Sequence, residues 1–188
     1  PVVYTRSDGT EWAIFGTGGE TQGGAMHRAP VGALVGGPLG EQAQRVIEPG
    51  AEKGVMAPVT LVELTGDQEP DLVVSTFDGR LIVVNGATGR VVWERADRGE
   101  EAYHPAAVVD LGDGAGLGLF LSRGLGVFPR YVGSVHRLLD ASDGRVLYQY
   151  RDAHYPAGVS RSHLEDLFAR PGSRRLLRYP IHFVGRIA

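Results

Sequence analysis

Short apolar runs separated by polar turns dominate the hydrophobic pattern of this chain. Each run is about five or six residues long, is rich in β-branched or aromatic side chains, and is bounded by Gly, Asp or Asn, which predicts short β-strands joined by tight turns. No helical period competes with this pattern through residue 150, and 40–48 ("GEQAQRVIE") is expected to be loop. The predicted strands are 11–15, 59–64, 71–76, 80–84, 90–94, 106–111, 117–122, 134–139 and 145–150.

The pattern repeats within the chain. "NGATGRVVWE" (85–94) returns 55 residues later as "DASDGRVLYQ" (140–149), so that Trp93 matches Tyr148. The strands before these turns are collinear as well, and each full unit holds four of them. Repeated four-stranded antiparallel units of about 40 to 50 residues predict an all-β fold of β-propeller blades, which bury their faces by stacking. The alternative is that two hairpins share a common turn by chance.

The repeat also predicts the domain organisation. Residues 1–150 are predicted to hold the propeller repeats, as a partial blade (1–35) and two fuller blades (56–100 and 103–152). About three blades do not close a ring of four to eight, so the propeller is predicted to be incomplete. The segment 151–188 repeats nothing upstream and is predicted to be irregular or helical, with a short helix in "SRSHLEDLFARPG".

Composition narrows the function classes. The net charge is -3 and 43% of the residues are hydrophobic, so the chain is expected to fold and not to bind nucleic acid. There is no cysteine, which excludes disulfides and thiolate sites. No apolar run reaches the roughly 20 residues of a transmembrane helix, and the first residues do not resemble a signal peptide. Arginine outnumbers the single Lys53 by 18 to one, which suggests a GC-rich bacterial genome.

Two segments carry a resemblance to known propeller repeats. "VELTGDQEPDLVV" (62–74) resembles the blade-opening line of FG-GAP/VCBS repeats, and "DGRLIVVNGATGRVVWE" (78–94) resembles the strand-turn-strand of PQQ-like, quinoprotein-type repeats that ends in tryptophan. Together the resemblance covers roughly 56–150. It implies a secreted, periplasmic or cell-surface protein, but such propellers include scaffolds, binding proteins and dehydrogenases, so the fold does not choose the function.

The resemblance to FG-GAP/VCBS repeats also implies a calcium loop. The positions that hold Ca²⁺ in that family correspond here to Glu63, Thr65, Asp67 and Asp71. Carboxylate and backbone oxygens converging on a Gly-containing turn suit a hard cation. Glu63 is longer than the usual Asp, and Thr65 replaces an Asn or Asp. The alternative is that these carboxylates only cap turns through hydrogen bonds.

Catalytic motifs are not found in the sequence. The six histidines are dispersed, with no pair at metal-ligand spacing, and no G-x-S-x-G nucleophile motif occurs. We therefore predict no catalytic residue.

Loop aromatics favour binding. Phe128, Arg130 and Tyr131 lie in the inserted segment "GLGVFPRYVG", and Tyr103 and His104 lie in "EEAYHPA". Aromatic and arginine side chains on loops are frequent contact residues. These five are the predicted ligand-binding or partner-binding residues; the alternative is that they only shield the tops of the blades.

The sequence thus predicts a non-catalytic propeller module for binding or scaffolding, with calcium as its one expected cofactor. The partner, whether a protein, a small molecule or a glycan, is not specified, and further blades of a parent chain or another copy are also candidates. Two alternatives stay open: a fragment of a quinoprotein dehydrogenase, although nothing marks a pyrroloquinoline quinone site, and a truncated chain with no independent role.

Overall fold

The computed structural model describes residues 1–36, 42–49, 52–128 and 130–152. The predicted C-terminal helix and the rest of the segment after residue 152 lie outside this part of the chain. Within it the protein is nearly all-β, with three sheets in chain order, each built around four antiparallel strands. This confirms the predicted fold class, a partial propeller of four-stranded antiparallel blades.

The first sheet runs in the order β1-β2-β3-β4 and the second in the order β5-β6-β7-β8. The first comprises β1 Val2–Thr5, β2 Glu11–Gly16, β3 Met26–Pro30 and β4 Gln44–Ile47, with one short helix, α1 Val31–Gly36, between β3 and β4. The second comprises β5 Thr60–Val62, β6 Asp71–Ser75, β7 Arg80–Val84 and β8 Val91–Ala96.

The third sheet carries an additional short strand. It runs β10-β11-β12-β13, and β9 pairs with the far half of β11. Its strands are β9 Glu100–Glu101, β10 Ala107–Asp110, β11 Leu117–Val127, β12 Arg130–Asp140 and β13 Val146–Asp152.

The central sheet shows why the blades need one another. Side chains alternate between the two faces of a strand, and every residue of β6 is buried. Leu72 and Val74 pack into a cluster with the first sheet, whereas Val73 packs into a second cluster with the third sheet. Burying such an aliphatic side chain stabilises the fold by roughly 1.5 to 3 kcal/mol, and the central sheet on its own would leave both of these faces exposed.

Two segments that were expected to be loops form β-strands. Gln44–Ile47 form β4, within 40–48, because Ile47 and Arg45 pair with Met26 and His27 on β3. The first sheet is accordingly longer than the expected partial blade. The inserted segment 124–133 continues β11 and β12 as a hairpin, with a register shift at Leu125/Gly126 where Gly126 has φ +109°.

The repeated turns form the contacts between blades. Gly89 and Gly144 both have positive φ, +71° and +73°, as predicted for these hairpin turns. Trp93 of the second blade packs against Gly144, and its indole Nε1 donates a hydrogen bond to the Ala141 carbonyl at 2.9 Å. Arg28 of the first blade lies near Gly89 and donates to the Gly86 carbonyl at 2.8 Å. In both cases a side chain of one blade therefore contacts the turn before the last strand of the next blade.

The two turn glycines form a matched pair for mutation. An alanine at either site meets the left-handed strain of roughly 1 to 2 kcal/mol. At residue 144 the new Cβ would also lie 2.8 Å from the Trp93 ring, whereas at residue 89 its nearest neighbour is an Arg28 nitrogen at 3.7 Å. We expect Gly144→Ala to lose about 1 to 3 kcal/mol more unfolding free energy than Gly89→Ala in urea titrations, because of overpacking. Equal losses would mean that the Trp93 contact is loose.

Candidate functional site at the loop end of the blades

Asp71 is the most buried member of the predicted calcium loop. It begins β6 and is fully buried. One carboxylate oxygen accepts the backbone N–H groups of Leu64 and Thr65 at 2.8 and 2.9 Å, and the other accepts the Gly86 N–H at 3.0 Å and the Thr65 hydroxyl at 3.1 Å. Asp71 therefore ties the β5–β6 loop to the β7–β8 turn.

The other members of this loop are exposed and also accept hydrogen bonds. Glu63 accepts the backbone N–H groups of Thr65 and Gly66 at 3.0 and 2.6 Å. Asp67 accepts the side-chain amide of Asn85 at 2.6 Å, and this bond is the main cause that lowers the pKa of the Asp67 carboxyl. The predicted ligands are thus neighbours, but each carboxylate already has N–H partners.

This arrangement of carboxylates and N–H groups fits a hydrogen-bonded turn, the alternative that the sequence left open. In the part of the chain that the structure describes, no group of three or more His, Asp or Glu side chains is arranged to hold a metal ion. A cation here would have to displace N–H donors from Asp71. The calcium site stays a prediction.

Two of the predicted contact residues meet directly. Tyr103 follows β9 and Tyr131 lies on β12, and their hydroxyl groups are hydrogen-bonded to each other. His104 is half-buried beside Tyr103, whereas Phe128 and Arg130 are exposed at the tip of the β11–β12 hairpin. The hairpin therefore brings the two predicted loops together through their tyrosines.

Three charged residues that the sequence analysis missed complete this group. The Glu101 side chain is only 2% exposed and forms an ion pair with Lys53, the single lysine of the chain. Glu101 also accepts the Tyr131 hydroxyl, and the Tyr103 hydroxyl donates to Glu20 at 3.1 Å. We call Glu20, Lys53, Glu101, Tyr103 and Tyr131 the loop-end cluster.

Main-chain hydrogen bonds hold the loops that carry this cluster. The β2–β3 loop, the β6–β7 turn and the β11–β12 hairpin are the corresponding turns of the three sheets, each between the second and third of four successive strands. The Gly54 N–H donates to the Gly19 carbonyl at 2.8 Å, and the Phe77 N–H donates to the Gly54 carbonyl at 3.0 Å. The Lys53 ammonium lies 5.0 Å from the centre of the Phe77 ring, a cation-π contact.

The tyrosine hydroxyls stay protonated in this environment. Burial raises the pKa of Tyr103 well above its usual value, against the opposing effect of its hydrogen bond with Tyr131. Burial also raises the pKa of Tyr131, and its hydrogen bond to the Glu101 carboxylate adds to the increase. Both phenols are therefore neutral hydrogen-bonding groups at any ordinary pH.

A buried ion pair lies next to the cluster. Since successive residues of a strand face opposite sides, Glu101 faces the tyrosines while Glu100 faces Arg137, with two bonds at 2.5 and 2.7 Å. Burial alone would lower the pKa of Arg137, but the hydrogen bonds and charge of Glu100 outweigh it and raise that pKa. Arg123, 1% exposed, donates to the Gly79 carbonyl at 2.6 Å. This network joins the second and third blades.

A cavity of about 280 Å³ lies elsewhere, against the first sheet. Its lining side chains are apolar or glycine and include Ile14, Met26 and Val55, and none of the predicted site residues lines it. This apolar cavity is therefore separate from the loop-end cluster. No helix among them is long and apolar enough to span a bilayer.

Among known proteins, a distant likeness is found in the solved structures. No protein-family model matches the sequence, and the curated proteins also give no match. Among solved structures, the chain is similar to a europium-containing methanol dehydrogenase, with a TM-score of 0.47 and 11% identity over 76% of this chain and 23% of that chain. The chain thus spans less than a quarter of the length of that enzyme. A likeness at this level assigns neither a family nor an activity.

Proposed function

We propose that the chain is a non-catalytic propeller-repeat module, of the FG-GAP/VCBS and PQQ-like type, that binds a ligand or partner through the loop-end cluster. The observation that carries this proposal is the pair of half-buried tyrosines, Tyr103 and Tyr131, whose hydroxyls lie between the carboxylates of Glu20 and Glu101. Such a group presents ring faces and hydrogen-bonding atoms side by side, which is typical of binding sites.

The chemistry of the cluster favours binding over catalysis. A general acid or base needs a pKa near the operating pH, whereas both tyrosines have pKa values raised far above neutrality. The Glu101 carboxylate is already engaged by Lys53, by Tyr131 and by the backbone N–H of Phe128. These groups can hold and orient a ligand without exchanging protons with it.

The proposal is tested by mapping ligand contacts on the ¹⁵N-labelled full chain. A panel would contain a neutral disaccharide, a dicarboxylate, a primary amine and pyrroloquinoline quinone. We expect at least one ligand other than the quinone to shift the amide signals of Tyr103, Phe128 and Tyr131. Tyr103→Phe should weaken that binding, while Tyr4→Phe, a change far along the chain in β1, should not.

Two outcomes would contradict the proposal. Shifts confined to other parts of the chain would move the site away from the cluster. Bound quinone absorbance in stoichiometric amount would favour the alternative, a fragment of a quinoprotein dehydrogenase. We also propose that Ca²⁺ stabilises the module at the predicted calcium loop. The panel is therefore run with and without Ca²⁺, so that an effect of calcium is told apart from ligand binding at the cluster.

A further inference from the structure

We infer that the ligand group of the loop-end cluster is a primary ammonium, such as a free alkylamine or a lysine side chain of a partner protein. This inference rests on the proposed function and specifies the chemistry of the same site. Its starting point is the order of the hydrogen-bonding atoms, which runs from Glu20 through Tyr103 and Tyr131 to Glu101.

Counting hydrogens along this row shows that it lacks one. Three oxygen-oxygen contacts need three hydrogens, but carboxylate oxygens only accept hydrogen bonds, so the two phenols supply only two. If Tyr103 donates to Glu20 and Tyr131 donates to Glu101, the two phenol oxygens face each other with lone pairs alone. A half-buried contact between two lone pairs is unfavourable, so the row is complementary to a ligand that brings donors.

Charge and ring faces favour a cationic donor. Lys53 already pairs with Glu101, which leaves the Glu20 carboxylate as the second negative charge of the cluster. The rings of Tyr103 and Tyr131 lie 6.2 Å apart at 66°, and Phe77 packs edge-on against Tyr103 at 4.8 Å. Carboxylates beside aromatic rings attract ammonium groups, whereas an anion would face Glu20 directly.

Lys53 shows that the cluster accommodates an ammonium group. Its Nζ bonds to Glu101 and lies over the Phe77 ring, with only 19% of the side chain exposed. The chain thus places its own lysine at the buried end of the row. An ammonium from a ligand would take the equivalent position at the outer end, between Glu20 and the Tyr103 hydroxyl, and would supply the missing donor.

The test compares two probes that differ at the end of one unbranched side chain. Nα-acetyl-lysine amide carries the ammonium, whereas Nα-acetyl-norleucine amide lacks it, and binding is followed through the amide signals of Tyr103 and Tyr131 in the full chain. We expect the lysine probe to bind at least about tenfold more tightly, the effect of one charge-assisted hydrogen bond. Glu20→Gln should remove this preference, and Glu52→Gln, at an exposed carboxylate of another loop, should keep it.

The outcomes separate this inference from the proposed function. Equal binding of the two probes, or a Glu20→Gln variant that keeps the preference, would overturn the inference. If the lysine probe has no effect while another panel ligand shifts the cluster, only the inference fails; if nothing shifts the cluster, both fail. Comparing the free probe with a lysine-containing peptide then distinguishes a small amine from a protein partner. Melting curves of the variants confirm that each one folds.

Discussion

Glu100→Gln is expected to lower the free energy of unfolding by about 3 to 5 kcal/mol, the range for breaking a buried ion pair by removing one partner. Glu100 and Arg137 are 4% and 3% exposed and share two hydrogen bonds. The glutamine keeps the shape but presents an N–H donor to the guanidinium, which leaves Arg137 with Asp97 as its remaining carboxylate, at 3.5 Å. At about 2 to 4 °C per kcal/mol, the melting temperature should fall by roughly 10 °C.

Glu48→Gln is the matched control for this change. Glu48 pairs with Arg45 at 3.1 Å, but its side chain is 78% exposed, and exposed pairs contribute little. A second comparison replaces both buried partners, as Glu100→Leu with Arg137→Met. The double variant should be more stable than Glu100→Gln, because no buried charge is left without its partner. If Glu100→Gln melts like Glu48→Gln, the buried pair does not stabilise the fold.

The blades could be predicted from the sequence because their causes are local. The positive φ of Gly89 and Gly144 favours glycine, and the short β-branched apolar runs of β6 and β7, bounded by turn residues, mark strands. The strand β4 could not be predicted in this way. Gln44–Ile47 is a short segment between glycine-rich flanks, and it becomes a strand only because the edge of β3 is there to pair with it.

The candidate site was predictable in part for a similar reason. Tyr103 and Tyr131 stood out as aromatic residues on loops, and the structure joins them. Glu101, Lys53 and Glu20 did not stand out, because their partners are far away in sequence: Lys53 and Glu101 are 48 residues apart, and Tyr103 and Glu20 are 83 apart. Only the stacking of three blades brings these loops to one end. The one signal in the sequence was that a chain with 18 arginines keeps a single lysine.

Asp71→Asn is expected to destabilise the chain by about 3 kcal/mol, because an amide has one acceptor oxygen where the carboxylate has two. The carboxylate accepts three backbone N–H groups, those of Leu64, Thr65 and Gly86. Asparagine would turn an N–H₂ group toward some of these donors, and each buried donor left without an acceptor costs about 1 to 3 kcal/mol. Urea unfolding of the full chain measures the loss.

The same variant separates the hydrogen-bonded turn from the calcium site. Asp67→Asn, in the same loop but exposed, is the control and should lose much less stability. If Asp71 acts only through hydrogen bonds, Asp71→Asn should lose the same amount of unfolding free energy in EGTA and in Ca²⁺. A wild-type chain that gains stability in Ca²⁺, together with an Asp71→Asn variant that does not, would instead support the calcium ligands predicted from the sequence. Equal stability of Asp71→Asn and Asp67→Asn would contradict the role given to Asp71, since the buried N–H groups would then need another acceptor.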